Sequence, residues 1–335
     1  MMRVAILGAS GYTALELIKL LLRHPEVEIS VVTSRQEEGV PLSAVHPSLA
    51  GRIDLGIEHL APDQIAERAD CVFSCLPHGV TASLAGSLLA TGLRLIDFSA
   101  DYRLDDATEY ATWYGQEHPD PERLPNVVYG LPELFRAQIC EADIVANPGC
   151  YPTSAILGLA PLVQSETIAT DDIIIDSKSG VSGAGRSPKL TTHYPECNES
   201  LSAYNIGRHR HTPEIELILS KTCGKPVEVI FTPHLIPMDR GILTTTYSRP
   251  LTAVREADLF ELFHAFYAPH PFVRVVKHLP ATKDAAHTNF CDITLRVVKG
   301  RVLTISCLDN LIKGAAGAAV QNFNLMCGFP ETMSF

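Results

Sequence analysis

The sequence predicts an α/β protein: a doubly wound parallel sheet at the N-terminus, followed by a second, α+β domain. Three observations predict it. The chain opens on a strand, a glycine-rich turn and an amphipathic helix in immediate succession. Its early strands are apolar runs without polar alternation, the mark of parallel strands buried on both faces. Beyond residue 150 the strands fall in groups, as in a mixed or antiparallel sheet.

"RVAILGASGYTALELIKLLLRHPEVEISVVTSR" reads as a strand over 3–7, a tight turn, a helix over 13–24 and a strand over 28–33, together a βαβ unit of Rossmann type. A strand over 70–76, a helix over 80–90 and strands over 93–98 and 144–146 continue the alternation. The second domain carries "DDIIIDSKSGVSGAGR", "VEVIFTPHLIPM" and "GILTTTYSRPL" as strands. A helix over 253–267 follows, then "FVRVV" and "NFCDITLRVVKGRVLTISCLDN", with Lys299-Gly300 as a hairpin turn. The last helix, 311–326, is rich in Gly and Ala and suits close packing back against the first domain. The expected division is 1–149, completed by 311–335, and 150–310.

With 335 residues, 46% hydrophobic and 19% charged, the chain is long enough for two domains with large cores. A net charge of −11 argues against nucleic acid or an anionic membrane as a partner, since both need a basic face. No apolar run reaches the roughly 18 residues of a membrane span and no signal peptide is apparent, so a soluble, cytoplasmic protein is expected. The nine cysteines follow no repeating spacing and are expected as thiols. Cys71 and Cys75 lie on one face of an apolar strand and read as core fillers rather than metal ligands.

In "GASGYTALEL", Gly8 permits the tight turn, Gly11 lets a pyrophosphate approach the backbone, and Ala14 lets the helix lie on the strand. The amides of Ser10, Gly11, Tyr12 and Thr13 are the expected pyrophosphate ligands. Where NAD enzymes place an acidic residue after the second strand, this chain has Thr33, Ser34 and Arg35, suited to a 2′-phosphate, so the cofactor reads as NADP(H).

"IVANPGCYPTSAILGLAPLV" places Cys150 between a Pro-Gly turn and a helix whose first turn holds Pro152. Residues 155, 156, 159, 160 and 163 form an apolar helical stripe behind it. A cysteine at a helix N-terminus sees unpaired amides and the positive end of the helix dipole, which favour thiolate. In "GRHRHTPEIELIL", Thr212 reads as the N-cap and Pro213 as the first helical residue. His209 and His211 then precede the helix on an extended segment and point to one side. Either imidazole suits acid/base work beside a thiolate, and spacing does not choose between them. "DFSADYRL" and "SGVSGAGR" are loops with Ser, Gly and one Arg each, able to bind an anion, although Arg103 is also placed to pair only with Asp101.

Taken in order, "GASGYTALELIKLLLRHP", "CLPHG", "DFSADYRL", "YGLPEL", "ANPGCYPT", "SGVSGAGR", "HRHTPEI", "PHLIPMDRGIL" and "DNLIKGAAGAAVQNFN" resemble the N-acetyl-gamma-glutamyl-phosphate reductase family, from residue 3 to about 330. The resemblance implies a two-domain fold similar to aspartate-semialdehyde dehydrogenase, a homo-oligomer (dimer or tetramer), and NADPH-dependent reduction of N-acetylglutamyl 5-phosphate to the 5-semialdehyde in arginine biosynthesis. It implies that Cys150 forms a thioester and that an imidazolium protonates the tetrahedral anion, with His211 favoured and His209 as rival. Pro77, Ser182, Gly183 and Asn310 join the cofactor side, and Arg103, Ser179, Arg186 and Glu214 the substrate side. Two other readings fit the same fold: a reductase of another acyl phosphate like aspartate-semialdehyde dehydrogenase, and an NADP-sensing regulator without turnover.

Overall fold

A computed structural model describes residues 1–335, which form two compact units: Met1–Pro148 with Ala315–Phe335, and Gly149–Gly314.

The first unit is built on a six-stranded, fully parallel sheet. In chain order its elements are β1 (Met2–Leu7), α1 (Tyr12–Leu21), β2 (Val27–Thr33), α2 (Leu42–Val45), α3 (Pro62–Ala66), β3 (Cys71–Ser74), α4 (Val80–Ala90), β4 (Arg94–Asp97), α5 (Ala107–Tyr114), β5 (Val128–Tyr129), α6 (Pro132–Cys140) and β6 (Ile144–Ala146). The strand order β2-β1-β3-β4-β6-β5 reverses beside β1, so the turn after β1 lies at the switch point where doubly wound folds bind ligands. Residues 4–7 of β1, 71–73 of β3 and 95–96 of β4 are apolar and buried because helices cover both faces of the sheet. Cys71 is fully buried there, and loss of solvent raises its thiol pKa well above the usual range.

The second unit starts with α7 (Cys150–Gln164), β7 (Ile168–Gly180), α8 (Tyr194–Cys197), β8 (Ser202–Ala203), α9 (His211–Cys223), β9 (Val229–Ile236) and β10 (Ile242–Pro250). It continues with α10 (Glu256–Tyr267), β11 (Val273–Val275), α11 (Thr282–Ala285), β12 (Cys291–Val298) and β13 (Arg301–Leu308). The sheet is mixed, in the order β11-β12-β13-β10-β7-β9-β8. Lys299 and Gly300 both take positive φ (48° and 75°), as a two-residue hairpin turn between β12 and β13 requires. α7 lies on this sheet through buried hydroxyls: Ser154 Oγ donates to Thr244 Oγ1 at 2.9 Å and stands 2.8 Å from Ser306 Oγ. α7 is therefore not the amphipathic stripe its spacing suggests: every residue from 151 to 163 is buried, as in a helix enclosed on all sides.

The C-terminal helix predicted over 311–326 is split. Ile312–Ala316 forms a π-type turn, in which the Gly314 N–H reaches Asp309 O, five residues back, at 2.9 Å. α12 (Gly317–Met326) is fully buried in the first unit, where Ala319, Val320 and Phe323 join the core beside α1.

Candidate functional site

In the first unit the turn after β1 is shaped by its glycines. Gly8 has φ +77°, and a Cβ there would lie 2.6 Å from Cys75 O, so no other residue fits. Its amide and that of Ala9 donate to Thr33 O at 3.0 and 2.9 Å, tying the turn to the end of β2. A Cβ added at Gly11 meets nothing within 4 Å, so a ligand has room to come against this backbone. α1 starts at Tyr12, and its first intrahelical bond runs from Leu15 N to Gly11 O. Helix geometry leaves the amides of Tyr12 and Thr13 outside that ladder, where they suit a phosphate. Ser34 and exposed Arg35 follow β2 directly. These features fit a dinucleotide.

The loops after β3 and β4 are joined in the same unit. Asp101, fully buried, accepts from Gly79 N at 2.6 Å and Ala82 N at 3.0 Å, and so caps α4 beside Pro77. Asp97 is also buried, and loss of solvent first, then the Asp101 charge, raises its pKa to about 6. Arg103 is not held as sequence allowed. Its Nε donates to Asn147 O at 2.9 Å and a terminal nitrogen to Phe98 O at 2.8 Å, because Asp101 faces the α4 amides instead.

In the second unit Cys150 is the first residue of α7, with Gly149 as N-cap. The Gly149 amide donates to Glu214 Oε1 at 2.8 Å, and Glu214 is buried in the first turn of α9. One hydrogen bond thus pins together the two helix starts that carry Cys150 and His211. Gly314 closes against the same point. A Cβ there would lie 2.8 Å from Cys150 Cβ, so the π-type turn touches the cysteine only because residue 314 is glycine.

The two histidines differ from expectation. Arg210 is already α-helical (φ −62°, ψ −13°) and Thr212 N bonds His209 O at 2.9 Å, so α9 begins at His211 and not after Thr212. The extended segment is absent, yet the rings still meet, with centroids 4.8 Å apart. His209 is buried among Tyr151, Tyr204 and Phe231, and its Nδ1 accepts the His211 amide at 3.1 Å. Burial, helped by the Arg210 charge, lowers its pKa to about 4. His209 is therefore neutral near pH 7. The unfolded chain takes up that proton below about pH 6.5, so this group withdraws stability as pH falls from there towards 4.

Ser179 is buried and donates to Gly180 O at 3.0 Å. Ser182 Oγ donates to Asp239 O at 2.6 Å and accepts from Asn310 Nδ2 at 3.0 Å, while Asn310 Oδ1 accepts from Gly241 N at 2.7 Å. Ser182 and Asn310 thus brace three loops, and Gly183 lies under them, 3.1 Å from Ser179 Oγ as measured from an added Cβ. Arg186 is exposed.

Sequence reasoning assigned no role to Arg240, Tyr151 or Tyr204. Arg240 stands 3.5 Å from Asp309, a fully buried carboxylate that also accepts the amides of His287, Leu311 and Ile312. Its presence in "PHLIPMDRGIL" was the available signal. Tyr204 donates to Tyr151 at 3.2 Å, and Tyr151 to His234 O at 2.9 Å. Burial raises both phenols, Tyr204 to about 12, so both remain neutral donors.

Residues 3–142 match the semialdehyde dehydrogenase NAD binding domain, and residues 150–310 match the semialdehyde dehydrogenase dimerisation domain. The N-acetyl-gamma-glutamyl-phosphate reductase of Rhodopirellula baltica is 55% identical over 336 residues, covering 99% of this chain and 97% of that protein. The protein of the same name from Citrifermentans bemidjiense is 54% identical over 338 residues, with the same coverage. Among solved structures, the aspartate semialdehyde dehydrogenase II of Vibrio cholerae superposes with a TM-score of 0.75 at 16% identity, covering 98% of both chains. The aspartate semialdehyde dehydrogenase of Candida albicans with NADP gives the same TM-score and identity, with 98% of each chain covered. At that identity the likeness is one of fold.

Proposed function

The chain belongs to the semialdehyde dehydrogenase family, in its N-acetyl-gamma-glutamyl-phosphate reductase branch, and from that membership and the Cys150 geometry we propose that it reduces N-acetylglutamyl 5-phosphate to the 5-semialdehyde, releasing phosphate. The observation that carries this is the pinning of the α7 and α9 starts by the Gly149–Glu214 hydrogen bond. It supports a thiol and an imidazole acting on one carbonyl.

The Cys150 sulfur attacks the acyl carbon, an S–C bond forms, and the C–O bond to phosphate breaks with its electron pair leaving on phosphate. Amides heading α7 suit the oxyanion formed in this step. Gly8, Ser10, Gly11, Tyr12, Thr13, Ser34 and Arg35 would hold NADPH, with Pro77, Ser182, Gly183 and Asn310 as further contacts; when bound, the reduced nicotinamide supplies hydride to the thioester carbon. His211 gives a proton to the resulting alkoxide and takes it back as the C–S bond breaks, returning aldehyde and thiolate. Glu214 holds the thiol-bearing helix start. Arg103, Ser179 and Arg186 contact substrate, and Arg240 adds a cation for its phosphate or carboxylate.

Run in reverse, the enzyme is expected to form NADPH, read at 340 nm, from N-acetylglutamate semialdehyde and NADP only when phosphate or arsenate is present. Aspartate semialdehyde serving as well would remove the N-acetylglutamyl assignment.

We further propose a homodimer through the sheet of the second unit. Ile174 pairs in register with Tyr247 on one side and Ile230 on the other, and all three are exposed, with Ile230 62% accessible. Three adjacent large apolar side chains on one sheet face are what a partner sheet covers. Light scattering that returned the mass of a single chain would remove this part. No helix is long and apolar enough to cross a membrane. A cytoplasmic setting suits a catalytic thiol that must stay reduced.

A further inference from the structure

The segment after β2 contains two residues that read a ribose in opposite ways. Arg35 is exposed and has no ion pair, and offers a guanidinium to a 2′-phosphate. Two residues on, Glu37 accepts a hydrogen bond from Ser34 Oγ, while Ser34 Oγ itself accepts from Gln36 N at 3.3 Å. The Ser34 hydroxyl has one proton to donate, and Glu37 takes it. A 2′-phosphate offers only acceptors and must compete for that proton beside a carboxylate of its own sign. A free 2′-hydroxyl can instead donate to a carboxylate placed after the second strand, which is how dinucleotide folds recognise NADH. The segment has a fixed position next to the glycine turn. Thr33 O takes the Gly8 and Ala9 amides, and Gly39 N bonds Ile57 O at 2.9 Å.

We propose that Glu37 is a specificity-determining residue, set against Arg35, which penalises the 2′-phosphate and admits a dinucleotide with a free 2′-hydroxyl as a second hydride donor. This rests on the dinucleotide site assigned above. NADPH binding displaces Glu37 from Ser34; NADH binding keeps Glu37 in place and uses it as an acceptor.

The test is calorimetric binding of 2′,5′-ADP and of 5′-AMP to the full chain, in wild type, Glu37→Gln and Arg35→Asp. Gln keeps an oxygen for the Ser34 hydroxyl and removes only the charge. Glu37→Gln is expected to tighten 2′,5′-ADP by about tenfold and to leave 5′-AMP equal or weaker, the size of one charge-assisted hydrogen bond. Arg35→Asp is expected to weaken 2′,5′-ADP by tenfold or more and 5′-AMP by far less. If Glu37→Gln binds 2′,5′-ADP no tighter than wild type, or tightens both probes alike, Glu37 only staples the loop and the proposal is overturned. If wild type binds neither probe, the dinucleotide site itself is overturned, and the proposal with it.

Discussion

Cys150→Ser is expected to abolish turnover while 2′,5′-ADP binding stays nearly unchanged. The substitution is almost isosteric at the first position of α7, where Gly149 is held by Glu214 and Gly314 lies against the residue, so the local fold has no reason to move. What changes is the nucleophile. A serine hydroxyl ionises far less readily than a thiol, so the same helix start yields far less of the anion that attacks the acyl carbon. Removing a covalent nucleophile costs on the order of 10³-fold or more in kcat. The check is the steady-state rate at 340 nm beside calorimetric binding of the nucleotide probe. A residual rate above a few percent of wild type would mean that the sulfur does not carry the acyl group.

For His211→Asn we expect kcat to fall by roughly 10²–10⁴-fold and the pH-rate limb near neutrality to flatten, again without loss of nucleotide binding. The companion variant His209→Asn separates the two imidazoles. His209 sits among aromatic rings with its pKa lowered to about 4, and its Nδ1 serves the His211 amide. An Asn oxygen can accept that amide in its place, so His209→Asn should keep the limb near neutrality and alter mainly KM. The opposite pattern, with the limb surviving in His211→Asn and vanishing in His209→Asn, would exchange the roles and require His209 to titrate despite its burial.

Local chemistry made much of this protein legible from the chain alone. The glycine turn and the βαβ unit depend on residues adjacent in sequence, where positive φ at Gly8 and apolar strand runs leave few alternatives, and the structure has both. Cys150 at a helix start follows from Pro148, Gly149 and Pro152 for the same reason, and the Lys299-Gly300 hairpin likewise. The features that only tertiary structure decided join residues far apart or depend on solvent exclusion. Glu214 meets Gly149 across 65 residues, and Gly314 meets Cys150 across the whole second unit. The start of α9 moved because backbone turning at Arg210 began the helix before the capping residue that local preference selects. His209 and His211 are the same residue type two positions apart. Sequence leaves them equivalent, and they are distinguished by the aromatic enclosure that Tyr151, Tyr204 and Phe231 build around one of them. That enclosure needs the helix and strands folded together, since desolvation is a property of the packed site and not of the residue.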